Sequence, residues 1–352
     1  MPTPTETGLL RRLPKAELHL HLEGMLQPNR VMCLAKKYSV PLEQDELDSR
    51  YNLRGFSQFL ELFKWATSFL REPDDYAQLA QDAATALHEQ CVIYAEITLS
   101  VGVMLLRKQN VAANFATLRE VFARNHAAGT GPQVQFIFDA VRQFGPAPAM
   151  EVARLAAELR GEGAVAFGLG GDELSHALPE FRKAYAYAAQ HGLHLVAHAG
   201  ETGGPEQIQN AIDILNVERI GHGIAAIRSP ALMNTLVTRK IPLEICLTSN
   251  LRTNALNIQL NSAHSRIALH PLAKFFRLGI PVTLSTDDPA MFRTTLPEEF
   301  AAALQTGLSF NDLLAVNRTA LQHAFLSASS RQSLLAQVDA ASTPSAHRNN
   351  HA

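Results

Sequence analysis

Along the chain, short apolar runs alternate with longer stretches in which apolar residues recur every three or four positions. Runs of the first kind occupy residues 16–21, 91–100, 134–141, 164–169, 194–199, 219–222, 242–246 and 281–285. They are rich in Leu or β-branched residues and bounded by Gly, Pro or charge, which predicts strands. Stretches of the second kind, such as 73–88, 146–159, 178–190 and 205–215, predict amphipathic helices. Strand and helix in strict alternation require crossover connections, and hence a parallel sheet. Eight such strands favour a closed (β/α)8 TIM barrel, with an open doubly wound sheet as the alternative.

Residues 1–12 precede the first strand as an N-terminal extension. Residues 29–72 interrupt the alternation after that strand. Their pattern is helical, and they carry Phe56, Phe59, Phe63, Trp65 and Phe69. Two readings fit this insertion: a packed helical subdomain, or a lid that lays an apolar face over a site. Residues 13–338 then make one domain, a size that barrels reach as a single unit. The chain ends in ASTPSAHRNNHA, small and polar, so residues 339–352 are expected to be a disordered tail.

Composition narrows the classes. The 352 residues are 47% hydrophobic and 18% charged, the balance of a globular protein. A formal net charge of -2 gives no basic footprint for nucleic acid. No apolar stretch is long enough to span a membrane. The start, MPTPTETGLLRRLPK, has no apolar core behind a basic segment, so no secretory signal is expected. Cys33, Cys91 and Cys246 are far apart and odd in number, which argues against a disulfide framework. A cytoplasmic protein is the resulting expectation. No feature of the sequence points to an oligomeric state.

Candidate chemistry gathers at the ends of the apolar runs. The first carries His19 and His21 in LPKAELHLHLEG. Residues i and i+2 of a strand point to one face, so the two imidazoles can reach one metal ion. His198 closes the fifth run in HAGE, with Glu201 just beyond it. His222 closes the sixth in GHG, and the eighth leads into STDDP with Asp287 and Asp288. Asp before Pro is a good helix start, which accounts for Asp288 but not for a second acid in front of it. In a barrel, all these strand ends converge on the catalytic face. Imidazole nitrogens with a carboxylate suit Zn²⁺.

The motifs LPKAELHLHLEG, GLGGDE (168–173), HAGE, VERIGHG (217–223) and STDDP occur in an order that resembles the adenosine/adenine deaminase family, from about residue 13 to about 325. The resemblance implies a (β/α)8 barrel with one zinc ion. It also implies hydrolytic release of the 6-amino group of an adenine ring as ammonia, with a purine nucleoside and water as partners. Matched position by position, it implies that His19, His21, His198 and Asp287 bind the metal. Glu201 would share a proton with purine N1, His222 would orient and deprotonate the attacking water, and Asp288 would meet N7. The backbone N–H of Gly171 would hold N3, and His21 would also border the substrate.

Two positions depart from adenosine deaminases. Glu23 stands where they carry Asp near the ribose 5′-hydroxyl, and Thr98, in ITLSVG, stands where they usually carry Arg. Both changes imply a nucleoside altered at its 5′ end. One such substrate is 6-aminodeoxyfutalosine of menaquinone synthesis, with an aryl carboxylate in place of that hydroxyl. Adenosine is an equal alternative and free adenine a third. Adenine deaminases also favour Glu at Glu23, but they differ from this chain around Gly171. Thr248, Ser249 and Asn250 either line the site or cap a turn, and Arg252 is placed to meet a substrate carboxylate. A two-metal amidohydrolase would need Lys at the end of the fourth strand, and 164–173 holds none. An inactive deaminase-like binding protein would lack a ligand, and none is missing.

Overall fold

The computed structural model describes residues 4–342. Eight strands form one parallel sheet in chain order: β1 (Lys15–His21), β2 (Val92–Leu99), β3 (Gln133–Val141), β4 (Ala164–Gly170), β5 (His194–Ala199), β6 (Arg219–His222), β7 (Leu243–Ile245) and β8 (Val282–Leu284). The gap between first and last strand is bridged just beyond β8. The His21 N–H donates to the Asp287 carbonyl (2.9 Å), and the Asp287 N–H donates to the His19 carbonyl (3.1 Å). With helices between successive strands, this is the (β/α)8 TIM barrel, and the open doubly wound sheet is excluded.

β1 shows why the strand pattern looks inverted. Ala16 and Leu18 pack outward against Ala320, Leu321 and Leu334 of the surrounding helices. The alternating residues are polar, yet they are equally buried. Glu17 accepts from the Thr286 N–H (2.8 Å) and hydroxyl (2.6 Å). His19 Nδ1 lies 2.8 Å from Glu244 Oε2 on β7. Arg219 on β6 donates through Nε to Glu244 Oε1 (2.6 Å) and through Nη2 to Glu96 on β2. Buried charges cost stability unless paired, and here one guanidinium serves two carboxylates. Burial alone would raise Glu244, but Arg219 and His19 hold it down at about 2.

The insertion after β1 folds into three helices, Pro28–Lys37, Gln44–Arg50 and Phe56–Ala66. Trp65 packs inside the insertion, under Arg50 (4.4 Å) and against Phe69 (5.2 Å). Phe56, Phe59 and Phe63, on one face at helical spacing, turn toward the strand ends and roof a cavity there. The roof helix is tied at both ends. The Gly55 N–H donates to the Arg252 carbonyl (2.9 Å), and Arg107 donates to the carbonyls of Lys64 (2.8 Å) and Thr67.

At the termini, residues Pro4–Arg12 are helical and the Ala328–Ser342 helix runs into the expected tail. Residues 343–352 of that tail lie outside the described residues. Among the described residues, no helix is long and apolar enough to cross a membrane.

Candidate active site

The strand ends place the expected ligands together. One donor atom each from His19, His21, His198 and Asp287 lies within 4.8 Å of the others. His21 Nε2 is 3.2 Å from His198 Nε2. Asp287 Oδ1 is 3.3 Å from His19 Nε2 and 3.4 Å from His21 Nε2. Two imidazole nitrogens facing each other beside a carboxylate are a poor hydrogen-bonding set and a good metal-ligand set. The far side of three ligands is held by the protein: His19 by Glu244, His198 Nδ1 by the Leu169 carbonyl (3.2 Å), Asp287 Oδ2 by the Ser249 hydroxyl (2.7 Å). Such partners fix the tautomer and aim of metal-binding histidines. The residues therefore fit a divalent metal. Gly221 belongs to the same construction, because any side chain there would run into the His19 ring.

Cys246 also comes within reach of His222 and Asp287, which its place in the sequence gave no reason to expect. Its thiol points to the Glu244 carbonyl (3.7 Å), and burial pushes its pKa well up.

Glu201 sits beyond β5 on a loop fastened from two sides. Glu173 accepts from the N–H groups of Gly200 (3.0 Å), Glu201 (2.8 Å) and Gly203 (3.0 Å). Gln259 donates to the carbonyls of Glu201 (2.8 Å) and Gly203 (2.7 Å). The Glu201 carboxyl meets the Thr253 hydroxyl (3.2 Å). Burial first, then the Asp287 and Glu173 carboxylates, raise it well above the usual carboxyl range. Asp288 is raised in the same way by burial and by Asp287. It occupies the helix-start position but its side chain caps nothing, and its Oδ1 is buried without a partner. His222 and Asp287 both adopt positive φ, 60° and 67°, a conformation that non-glycine residues keep only where the surroundings impose it. Burial lowers His222 to about 3, so its ring is neutral.

These groups form the floor of a cavity of about 430 Å³. His21, His198, Glu201, His222, Asp287, Asp288 and Gly171 all reach its wall. Gly171 has φ 94°, and a side chain there would collide with Gln143. The outer half is apolar, with Phe56, Phe59, Leu60 and Phe63 from the roof and Val103, Leu106, Val141 and Phe144 opposite. Its charged groups are Lys64, Arg107 and Glu61. Two expected contacts are absent from the wall. Glu23 lies behind Ser100, accepting its N–H (3.0 Å) with the other oxygen unpartnered. Arg252 contributes its carbonyl to the roof tether, not its charge to the cavity. Ser249 and Asn250 stand behind Asp287 and His222 instead of lining the site.

Several residues of the site were not singled out from the sequence. Asp139 on β3 reaches the cavity wall, and burial raises it well above the usual range. Its signal was an acid inside the apolar run FIFDAV. Glu173 and Arg219 lay within quoted motifs without a role. Glu244 lay in a run read only for apolar character, and His270 lay in a stretch, between the seventh and eighth runs, that was given no reading.

A parallel barrel with three imidazoles and a carboxylate on its C-terminal rim, beside a protonated acid, defines a metal-dependent hydrolase. The adenosine deaminase family model matches residues 14–341. The chain is 35% identical to an aminodeoxyfutalosine deaminase of Streptomyces coelicolor, over 93% of this chain and 84% of that protein. It is 33% identical to an adenine deaminase of Agrobacterium fabrum, over 93% and 98%. The solved structure of an adenine deaminase from Arthrobacter aurescens superposes with a TM-score of 0.85 at 27% identity, over 93% and 98%. The chain belongs to the adenosine deaminase family. It is a deaminase acting hydrolytically on the amidine C–N bond of an adenine ring.

Proposed function

We propose that this enzyme removes the 6-amino group of an adenine-ring nucleoside, releasing ammonia, with one zinc ion held by His19, His21, His198 and Asp287. The observation that carries this reading is the meeting of that ligand set with Glu201, His222 and Asp288 on one cavity floor. Zinc held there would supply the Lewis acidity that makes water nucleophilic at neutral pH. The remaining work belongs to the chain's own groups. Addition of water oxygen at C6 pushes negative charge into the ring, and a proton donor at N1 removes it as it forms. Glu201, kept protonated by burial and by neighbouring carboxylates, suits that role. Asp288, protonated for the same reasons, donates to N7, which can only accept. The backbone of Gly171 takes N3, His21 borders the ring, and His222 orients the attacking water.

The outer chamber bears on the substrate. Adenine has no apolar arm to cover four aromatic rings. A nucleoside with an aromatic substituent at its 5′ end does, and Lys64 and Arg107 suit an anionic terminus. This supports an aminodeoxyfutalosine-like substrate over adenosine and free adenine. Glu23 then acts indirectly, by holding the Ser100 backbone at the wall. The test is ammonia release from 6-aminodeoxyfutalosine, adenosine and adenine, with zinc content measured on the same sample. The expected order in kcat/KM is the one given. Adenine as the best substrate would overturn the choice, and no release from any of the three would overturn the reaction.

A further inference from the structure

His222 is held by a chain of hydrogen bonds that starts at a backbone amide. The Leu272 N–H donates to His270 Nδ1 (3.1 Å). Pro271 has no N–H, so this is the first donor of the Leu272–Arg277 helix. A backbone N–H can only donate, which makes His270 Nδ1 an acceptor. Burial keeps the His270 ring neutral, lowered to about 3, so its one proton sits on Nε2. That nitrogen lies 3.2 Å from Asn250 Oδ1 and donates to it. The orientation of the amide follows. Its Nδ2, 3.0 Å from His222 Nδ1, donates there. His222 Nδ1 accepts, and the proton of the neutral ring is on Nε2. Nε2 faces the space between Glu201 Oε2 (3.8 Å) and Asp287 Oδ2 (3.9 Å).

We infer that Asn250 and His270 are positioning residues that lock His222 as a hydrogen-bond donor toward the reacting centre. The consequence for turnover rests on the deaminase reading above; the position of the proton does not. A donor at this place holds the oxygen of the attacking water and stabilises negative charge on it. It has no lone pair with which to take the water's proton. As the oxygen bonds to C6, Glu201 gives its proton to N1, and the proton lost by the water passes to the carboxylate just formed. The acid ends the step protonated, as it began, and His222 gains and loses nothing.

The full-length, metal-loaded protein labelled with 15N-histidine tests this, because protonated and bare nitrogens of a neutral imidazole resonate far apart. The His222 signals are assigned by comparison with His222→Asn. Nε2 is expected protonated and Nδ1 bare. Asn250→Asp turns the amide donor into an acceptor. The His222 proton then moves to Nδ1, and kcat falls about 100-fold or more, with zinc content and KM retained. His270→Ala frees the amide to turn and gives a smaller loss with mixed tautomers. A wild-type spectrum with bare Nε2 overturns the inference, and needs no variant to fold. So does an Asn250→Asp protein that shifts the proton yet keeps wild-type kcat. Failure of the deaminase reading would show differently, as a wild type that releases no ammonia while the tautomer signals stand as expected.

Discussion

Glu201 has to carry a proton at neutral pH if it is to donate one. Its folded-state value is raised, by burial and by Asp287 and Glu173, so the active, protonated form survives above the ordinary carboxyl range. The sign follows: kcat/KM is expected to hold on the acid side of the raised value and to fall as pH rises through it. Asp288, raised likewise, adds a loss in the same direction. A profile that climbs steadily with pH would contradict both assignments. Glu201→Gln keeps the shape and removes the transferable proton. It is expected to lower kcat about 100-fold or more while zinc content stays at the wild-type level. At this scale the sequence was readable where spacing carried the meaning. His19 and His21 share a face by strand geometry, and paired acids before Pro289 exceeded what a cap requires. Asn250, Glu244 and His270 were not readable in the same way, because each acts on a residue brought next to it only by the closed ring of strands.

Under the proposed function, the roof helix Phe56–Ala66 is the element on which substrate choice turns. Phe59 contributes to the cavity wall and packs against Phe292 (4.9 Å). Phe59→Ala is expected to raise KM for an aryl-extended nucleoside about 10-fold, some 1.4 kcal/mol, and to leave KM for adenosine nearly unchanged. Equal effects on the two nucleosides would mean that the outer chamber does not hold the substituent. The aromatic spacing of 56, 59 and 63 announced a common face, and strands β5 and β6 fall on the expected boundaries, since both are short apolar runs cut off by turn residues. The tethers of the roof were invisible. They join Gly55 to Arg252 and Arg107 to Lys64 and Thr67, through backbone atoms that no pattern of side chains reveals.

For the whole molecule, the notable property is a barrel filled by paired charges. Arg219 is buried between Glu96 and Glu244, stacks on Phe325 (3.8 Å), and through Glu244 reaches His19. Arg219→Met leaves the buried Glu96 and Glu244 carboxylates without their guanidinium counter-charge, and is expected to destabilise the fold by about 3–5 kcal/mol, read as a lower denaturant midpoint. Zinc affinity should fall with it, since Glu244 would lose the charge that keeps it an acceptor for His19. Retention of both properties would mean that water or rearrangement replaces the guanidinium. The fold class could be read from eight runs in alternation. The charged interior could not, because a polar residue between two leucines looks like a solvent-facing position until the ring closes around it.

The two halves of the cavity come from different kinds of chain. The floor is drawn from distant strand ends, and its histidine His19 shares Glu244 with the buried charge network of the barrel. The aromatic cover comes largely from one contiguous stretch, 56–64, carried on an insertion outside the ring. Descendants of such a gene can therefore exchange what they accept by altering one short cassette, while the reaction itself is inherited with the scaffold.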